Sequence, residues 1–169
     1  MSNPRIYVAC LSAYNNGFLH GLWVDLIQDL DDIHQEVRQM LQSSPMPDAE
    51  EWSIHDYENF DGFEISAYTS IERAHEIAEF LNKNGTIAGK LLQHFCGDVE
   101  DAQNALDNNA GEYHSLADFA ESITEDTTSI PENLRYYIDY ERMGQDMEMN
   151  GDIFTIKTDF EVVHVFWNS

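Results

Sequence analysis

The stretch LLQHFCGDVEDAQNALDNNAGEYHSLADFAESITEDTTSIPENL, Leu91 to Leu134, decides how the chain is read. It lies between Lys90 and Arg135 and holds no lysine or arginine. It nevertheless carries Asp98, Glu100, Asp101, Asp107, Glu112, Asp118, Glu121, Glu125, Asp126 and Glu132. Leu92, Phe95, Leu106, Leu116, Phe119 and Ile123 recur among these carboxylates at spacings that suit amphipathic helices. Acidic tracts of low hydrophobicity ordinarily stay disordered, but the interleaved apolar residues give this one a face to bury. Once folded, a surface of one sign holds its charges in place and projects a directed field.

Working back toward the N-terminus, Val99, Ala102, Ala105 and Leu106 predict a helix that stops near Asn108-Asn109. Ile87, Leu91, Leu92 and Phe95 predict another, stopped by Gly97. Ahead of them Thr69 and Glu72 have the spacing of a capping box before Ile71, Ala74, Ile77, Ala78 and Leu81, ending at Asn84-Gly85. Before Gly62 the period is different. Arg5 to Leu11 reads as a buried strand, Tyr14-Asn15-Asn16-Gly17 as a turn, and His20 to Leu26 as the partner strand. Asp29 or Asp31 is placed to cap a helix through about Gln42, carrying Ile33, Val37, Met40 and Leu41. Pro45-Met46-Pro47 ends it, and Glu51 to Tyr57 returns as a third strand.

On the C-terminal side, Ser115 caps a helix with Leu116, Phe119, Ala120 and Ile123. Pro131 suits the first position of another, carrying Leu134, Tyr137 and Ile138, with breaks at Gly144 and Asn150-Gly151. Ile153 to Ile156 and Glu161 to Trp167 predict a closing hairpin about a Thr158-Asp159 turn. The fold class expected is α+β, as a chain of three small modules in series. These are residues 1–61, a three-stranded sheet with a helix; 62–103, a small helical domain; and 104–169, helices plus a C-terminal hairpin.

The totals bound the function. The 169 residues hold 32 acids against 8 bases, a net charge of −24, with 43% hydrophobic residues to build a core. Each module is acidic: 11 acids and 2 bases to Asp61, 7 and 3 to Gln103, 14 and 3 beyond. Such a charge opposes direct nucleic-acid binding and binding to anionic lipid. Cys10 and Cys96 are too few for a disulfide framework and sit among apolar neighbours, as in a reduced cytoplasmic protein. The first residues lack the apolar core of a signal peptide, and no apolar run approaches the roughly 18 residues that span a membrane.

The reactive motifs are missing. Neither Asp107 nor Asp98 begins a calcium loop, because Glu112 and Gln103 fall where glycine is required. His75 with Glu72, Glu76 and Glu79 has helical spacing for a metal face, but a solvated helix face is the far simpler reading of the same spacing. Paired carboxylates are uninformative when acids are this abundant, and no nucleophile elbow, P-loop or dinucleotide fingerprint occurs. No enzyme activity and no cofactor are expected. Tyr136, Tyr137 and Tyr140, interleaved with Asp139 and Glu141, fit either ordinary packing or a partner or subunit contact.

A set of segments in fixed order carries a family resemblance. They are Ile6-Tyr7-Val8-Ala9, Tyr14-Asn15-Asn16-Gly17, Gly21-Leu22-Trp23 and Ile54-His55-Asp56-Tyr57-Glu58. Ile130-Pro131-Glu132 follows, running into Tyr137-Ile138-Asp139-Tyr140-Glu141 and Asp146, and then the terminal hairpin. In these the chain resembles the ArdA-type antirestriction proteins along most of its length. The resemblance implies an elongated three-domain monomer that forms a homodimer through its C-terminal region. It also implies a surface that mimics bent B-form DNA and occupies the DNA groove of type I restriction-modification enzymes. The acids of the Leu91–Leu134 stretch together with Asp139, Glu141 and Asp146 are the expected mimic surface, and the three tyrosines the candidate dimer contact. The competing expectation is an acidic protein adapted to salt, or one that binds a basic partner without DNA mimicry.

Overall fold

The structure, a computed structural model, describes residues 2–168, so only the two terminal residues lie outside it. It is α+β, with helices and two small antiparallel sheets, and it packs as two compact units, one up to Val99 and one from Glu100.

The first unit is built on β1 (Arg5–Cys10), flanked by β2 (Gly21–Asp25) and β3 (Trp52–Glu58) in the order β2-β1-β3. Ile6, Val8, Ala9 and Cys10 are fully buried, as a central strand requires. Between β1 and β2 the chain makes a short helix, α1 (Leu11–Asn15), where strand and turn were expected, and Gly17 then turns at positive φ. Helix α2 (Leu30–Gln42) buries Ile33, Val37 and Met40, one face of an amphipathic helix. The helices α3 (Ile71–Asn84) and α4 (Thr86–His94) belong to the same unit, joined at Gly85. The N-cap of α3 is Ser70, whose hydroxyl accepts the Arg73 N–H at 3.1 Å; Thr69 stands one residue too early for that role.

Two features of this unit hold it tight. Gly89 of α4 lies under the loop at Asp61, where a Cβ would overlap the Asp61 carbonyl oxygen. The guanidinium of Arg73 donates to the Gly97 carbonyl and, through its other nitrogen, to Glu76 at 2.9 Å. Cys10 is buried beside the Ser44 hydroxyl, but Cys96 is exposed at positive φ, not in the apolar setting its neighbours suggested.

The helix α5 (Val99–Asp107) leads into the second unit. Its sheet has the order β4-β6-β5, from β4 (Asn109–Tyr113), β5 (Ile153–Asp159) and β6 (Val162–Trp167). The expected hairpin is therefore two strands of a three-stranded sheet. Its turn falls at Phe160-Glu161, two residues beyond Thr158-Asp159, with Glu161 at φ 56°. Thr158 stays in the strand, where its hydroxyl lies 3.0 Å from His164.

Helix α6 (Leu116–Thr127) is capped by Ser115, which accepts the Asp118 N–H at 3.1 Å. It places Phe119 in the core with Ile153 and Val165, with Tyr113, Leu116, Ile123 and Met147 packed around them. Pro131 does not begin an α-helix. It precedes a 3₁₀ helix (Glu132–Tyr137), and Leu134 N–H closes back on the Pro131 carbonyl at 2.9 Å. Helix α7 (Tyr140–Met149) starts afresh with Asp139 as its cap, accepting the Arg142 N–H at 3.0 Å. Gly144 does not break it. The residue is buried mid-helix, and a Cβ there would stand 2.7 Å from Leu116 Cγ, so the glycine lets α7 lie directly on the start of α6.

Candidate functional site

Every aspartate and glutamate in the chain is exposed except Glu36, which is half-buried. None occupies the secluded, apolar setting that raises a catalytic carboxyl's pKa. The acids form outward faces of elements whose inward faces are apolar, so the field is a by-product of amphipathic folding carried to an extreme.

In the second unit the acids singled out from the sequence take distinct positions. Glu100 and Asp101 lie in the first turn of α5, where the helix dipole favours them, and Asp107 ends it beside Gln103, whose amide donates to it at 3.1 Å. On α6, Asp118, Glu121 and Glu125 are spaced three and four apart and so form one outer stripe, with Asp126 adjacent. Asp98, just ahead of α5, is exposed, as are Glu112 on β4, Glu132 on the 3₁₀ helix, and Asp139, Glu141 and Asp146 around α7. All thirteen thus face solvent.

Folding also brings basic side chains from outside the linear stretch up to its carboxylates. Arg135 comes within 3.4 Å of Glu125 and 3.8 Å of Glu132. His164 of β6 lies 3.6 Å from Glu112. Asp139 is occupied as a helix cap. With Arg135 beside them, Glu125 and Glu132 contribute less free charge than Asp118, Glu121, Glu141 and Asp146, for which no ion pair forms among the described residues.

The first unit has its own acidic stripe, which the sequence alone did not assign to the site. Glu72, Glu76 and Glu79 line the outer face of α3, and each meets a basic group: His34 at 2.9 Å, Arg73 at 2.9 Å and His75 at 3.4 Å. The Glu72 carboxyl is held below its ordinary value, chiefly by a hydrogen bond from its own backbone N–H. His34 acts in the same direction, against an opposing cost of burial. His75, the histidine of the candidate metal face, lies 3.0 Å from the Gln28 carbonyl through the same Nε2 that faces Glu79, which ties α3 to the segment before α2. Among the described residues no group of three or more His, Cys, Asp or Glu is placed to hold a metal.

The three tyrosines do not share one helix. Tyr136 and Tyr137 project from the 3₁₀ helix, 89% and 84% exposed, beside Leu134 at 50%. Tyr140 is half-buried in the first turn of α7. The exposed pair is thus separated from Tyr140 by the Asp139 cap.

Compared with known protein families, the chain matches the one described as Antirestriction protein (ArdA), over residues 6–162. The chain belongs to the ArdA antirestriction family. Its members are antirestriction proteins, inhibitors directed at restriction enzymes. The match takes in all of β1 but Arg5, α6 with its acidic stripe, and both sheets up to the first residue of β6. A comparison with curated proteins finds no match. No helix among the described residues is long and apolar enough to cross a membrane.

Proposed function

We propose that this ArdA-family chain inhibits type I restriction-modification enzymes by standing in for DNA in their binding groove. In this reading it acts as a cytoplasmic homodimer whose carboxylates take the places of backbone phosphates. The observation that carries it is the exposure of essentially every carboxylate on ordered elements, the α6 stripe of Asp118, Glu121 and Glu125 among them.

The magnitudes agree. Duplex DNA carries about one charge per 1.7 Å of axis, so two chains at −24 each match the charge of roughly 80 Å of duplex. Carboxylates one helical turn apart, such as Glu121 and Glu125, have Cβ atoms about 5–6 Å apart, comparable to phosphate spacing along a strand. A basic groove releases its counterions to such a surface as it does to DNA, and affinity falls steeply with salt for the same reason.

The dimer is assigned to the C-terminal unit, with the exposed Tyr136 and Tyr137 as the contact. Exposed aromatics rimmed by polar groups mark interaction surfaces more often than bare packing. The test is displacement of a labelled duplex from a type I enzyme by the purified protein at low ionic strength. Displacement that weakens with salt as DNA binding does supports the reading; no displacement refutes it.

A further inference from the structure

We infer that the open groove between β3 and the turn Ser66–Thr69 of the first unit receives an arginine or lysine side chain of the protein's target. This rests on the reading that the target is a DNA-binding enzyme, and it adds a site-specific contact to the diffuse field. The groove, about 500 Å³, is lined by Leu11, Trp52, His55, Ala67 and Tyr68 among others. Tyr68 is 94% exposed, the most exposed large hydrophobic side chain among the described residues.

An aromatic side chain so placed is usually mobile, but this one is fixed at its base. Thr69 N–H closes the turn on the Ser66 carbonyl at 3.1 Å, and the Ser66 hydroxyl accepts the Tyr68 N–H at 3.2 Å. The turn is in turn anchored to β3, where Ile54 N–H donates to the Ala67 carbonyl at 3.2 Å. Across the groove His55 is held edge-on by Tyr14, ring centroids 4.7 Å apart at 82°. Aromatic groups presented on a pre-organised backbone lose little entropy on binding.

The charge around the groove selects the occupant. None of the residues lining the groove is a lysine or arginine, and the exposed Glu51 adjoins it, its carbonyl accepting the N–H of the lining Leu11 at 3.0 Å. Glu51 and Asp56 are the immediate neighbours of Trp52 and His55. Aromatic faces set among carboxylates attract a cation through both the ring quadrupole and Coulomb attraction. An anionic or purely apolar occupant would meet that surrounding charge unfavourably or without gain.

Two measurements test this. In duplex displacement from a type I enzyme, Tyr68→Ala should need about tenfold more protein than wild type, as for an interface hot spot. The salt dependence should be unaltered, and Tyr68→Phe should keep wild-type potency. Equal potency of Tyr68→Ala and wild type overturns the inference. So does a Tyr68→Ala protein whose only change is in self-association, which would make a second copy the occupant. Independently, an arginine-rich peptide titrated into wild type should shift the amide resonances of Ser53, His55, Tyr68 and Thr69, and Tyr68→Ala should abolish those shifts. Shifts confined to the α3 and α6 stripes count against the groove. If wild type fails to displace duplex but the groove resonances respond, the mimicry reading falls and the groove stands.

Discussion

The Arg135 guanidinium stands 3.4 Å from the Glu125 carboxylate, which places a cation at the end of the α6 acidic stripe. Both partners are nearly half exposed, so solvent screens the pair and its share of stability is small, about 0–1 kcal/mol. Its larger effect is on the field. Arg135→Gln should leave the urea midpoint almost unchanged while raising potency in duplex displacement by less than about twofold at low salt, since one cation is removed from beside Glu125 and Glu132. A marked loss of stability would show that the pair is structural.

Single carboxylates should matter little. The electrostatic gain is summed over many phosphate-like charges, so Glu121→Gln should change inhibition less than about twofold. Neutralising Asp118, Glu121 and Glu125 together should weaken inhibition more, and should lower the salt slope by roughly one for every charge that no longer meets a basic group. A tenfold weakening from Glu121→Gln alone would contradict a summed field.

Two glycines are positions of close packing. Gly89→Ala drives a methyl into the Asp61 backbone, and Gly144→Ala drives one into Leu116. Overpacking of this kind costs about 1–3 kcal/mol, against about 1 kcal/mol gained from alanine's helix propensity. Both variants should be net destabilised in urea unfolding, Gly89→Ala the more because backbone cannot swing aside.

The depressed Glu72 carboxyl has a definite sign. A group whose pKa is lower folded than unfolded stabilises the fold above its ordinary value near 4.5, and that contribution is lost as pH falls through the folded value. Glu72→Gln should therefore reduce stability slightly at pH 7, with the gap to wild type closing as pH falls below 4.5. Paired urea titrations at the two pH values measure it; a gap that widens in acid would reverse the assignment.

Much of this fold was legible because it is written in local signals. Ile71, Ala74, Ile77, Ala78 and Leu81 recur at the helical period and all are buried in α3. Ser115 announces α6 as its cap. What was not legible depends on partners distant in sequence. Asn109-Ala110-Gly111-Glu112 has the composition of a loop, yet it is a strand because β6 pairs along it, with an irregular register between Asn109 and Gly111. Gly144 reads as a helix breaker until Leu116 is seen against it.

The same division holds for the candidate site. Exposure of the acids follows from their place opposite apolar stripes. The return of Arg135, His34 and His164 to particular carboxylates is a matter of tertiary approach that spacing does not encode. The α3 stripe is easily passed over in the sequence, because its carboxylates are interleaved with Arg73 and His75 while the run from Leu91 holds no lysine or arginine at all.

The most direct test of charge mimicry is a competition between this protein and a duplex for one type I restriction enzyme, measured from about 50 to 200 mM salt. Mimicry predicts full displacement at the low end and a fall in affinity of about 10³-fold or more across the range if six or more basic groups are engaged. Binding that ignores salt, or a duplex that stays bound at about 50 mM, would contradict it.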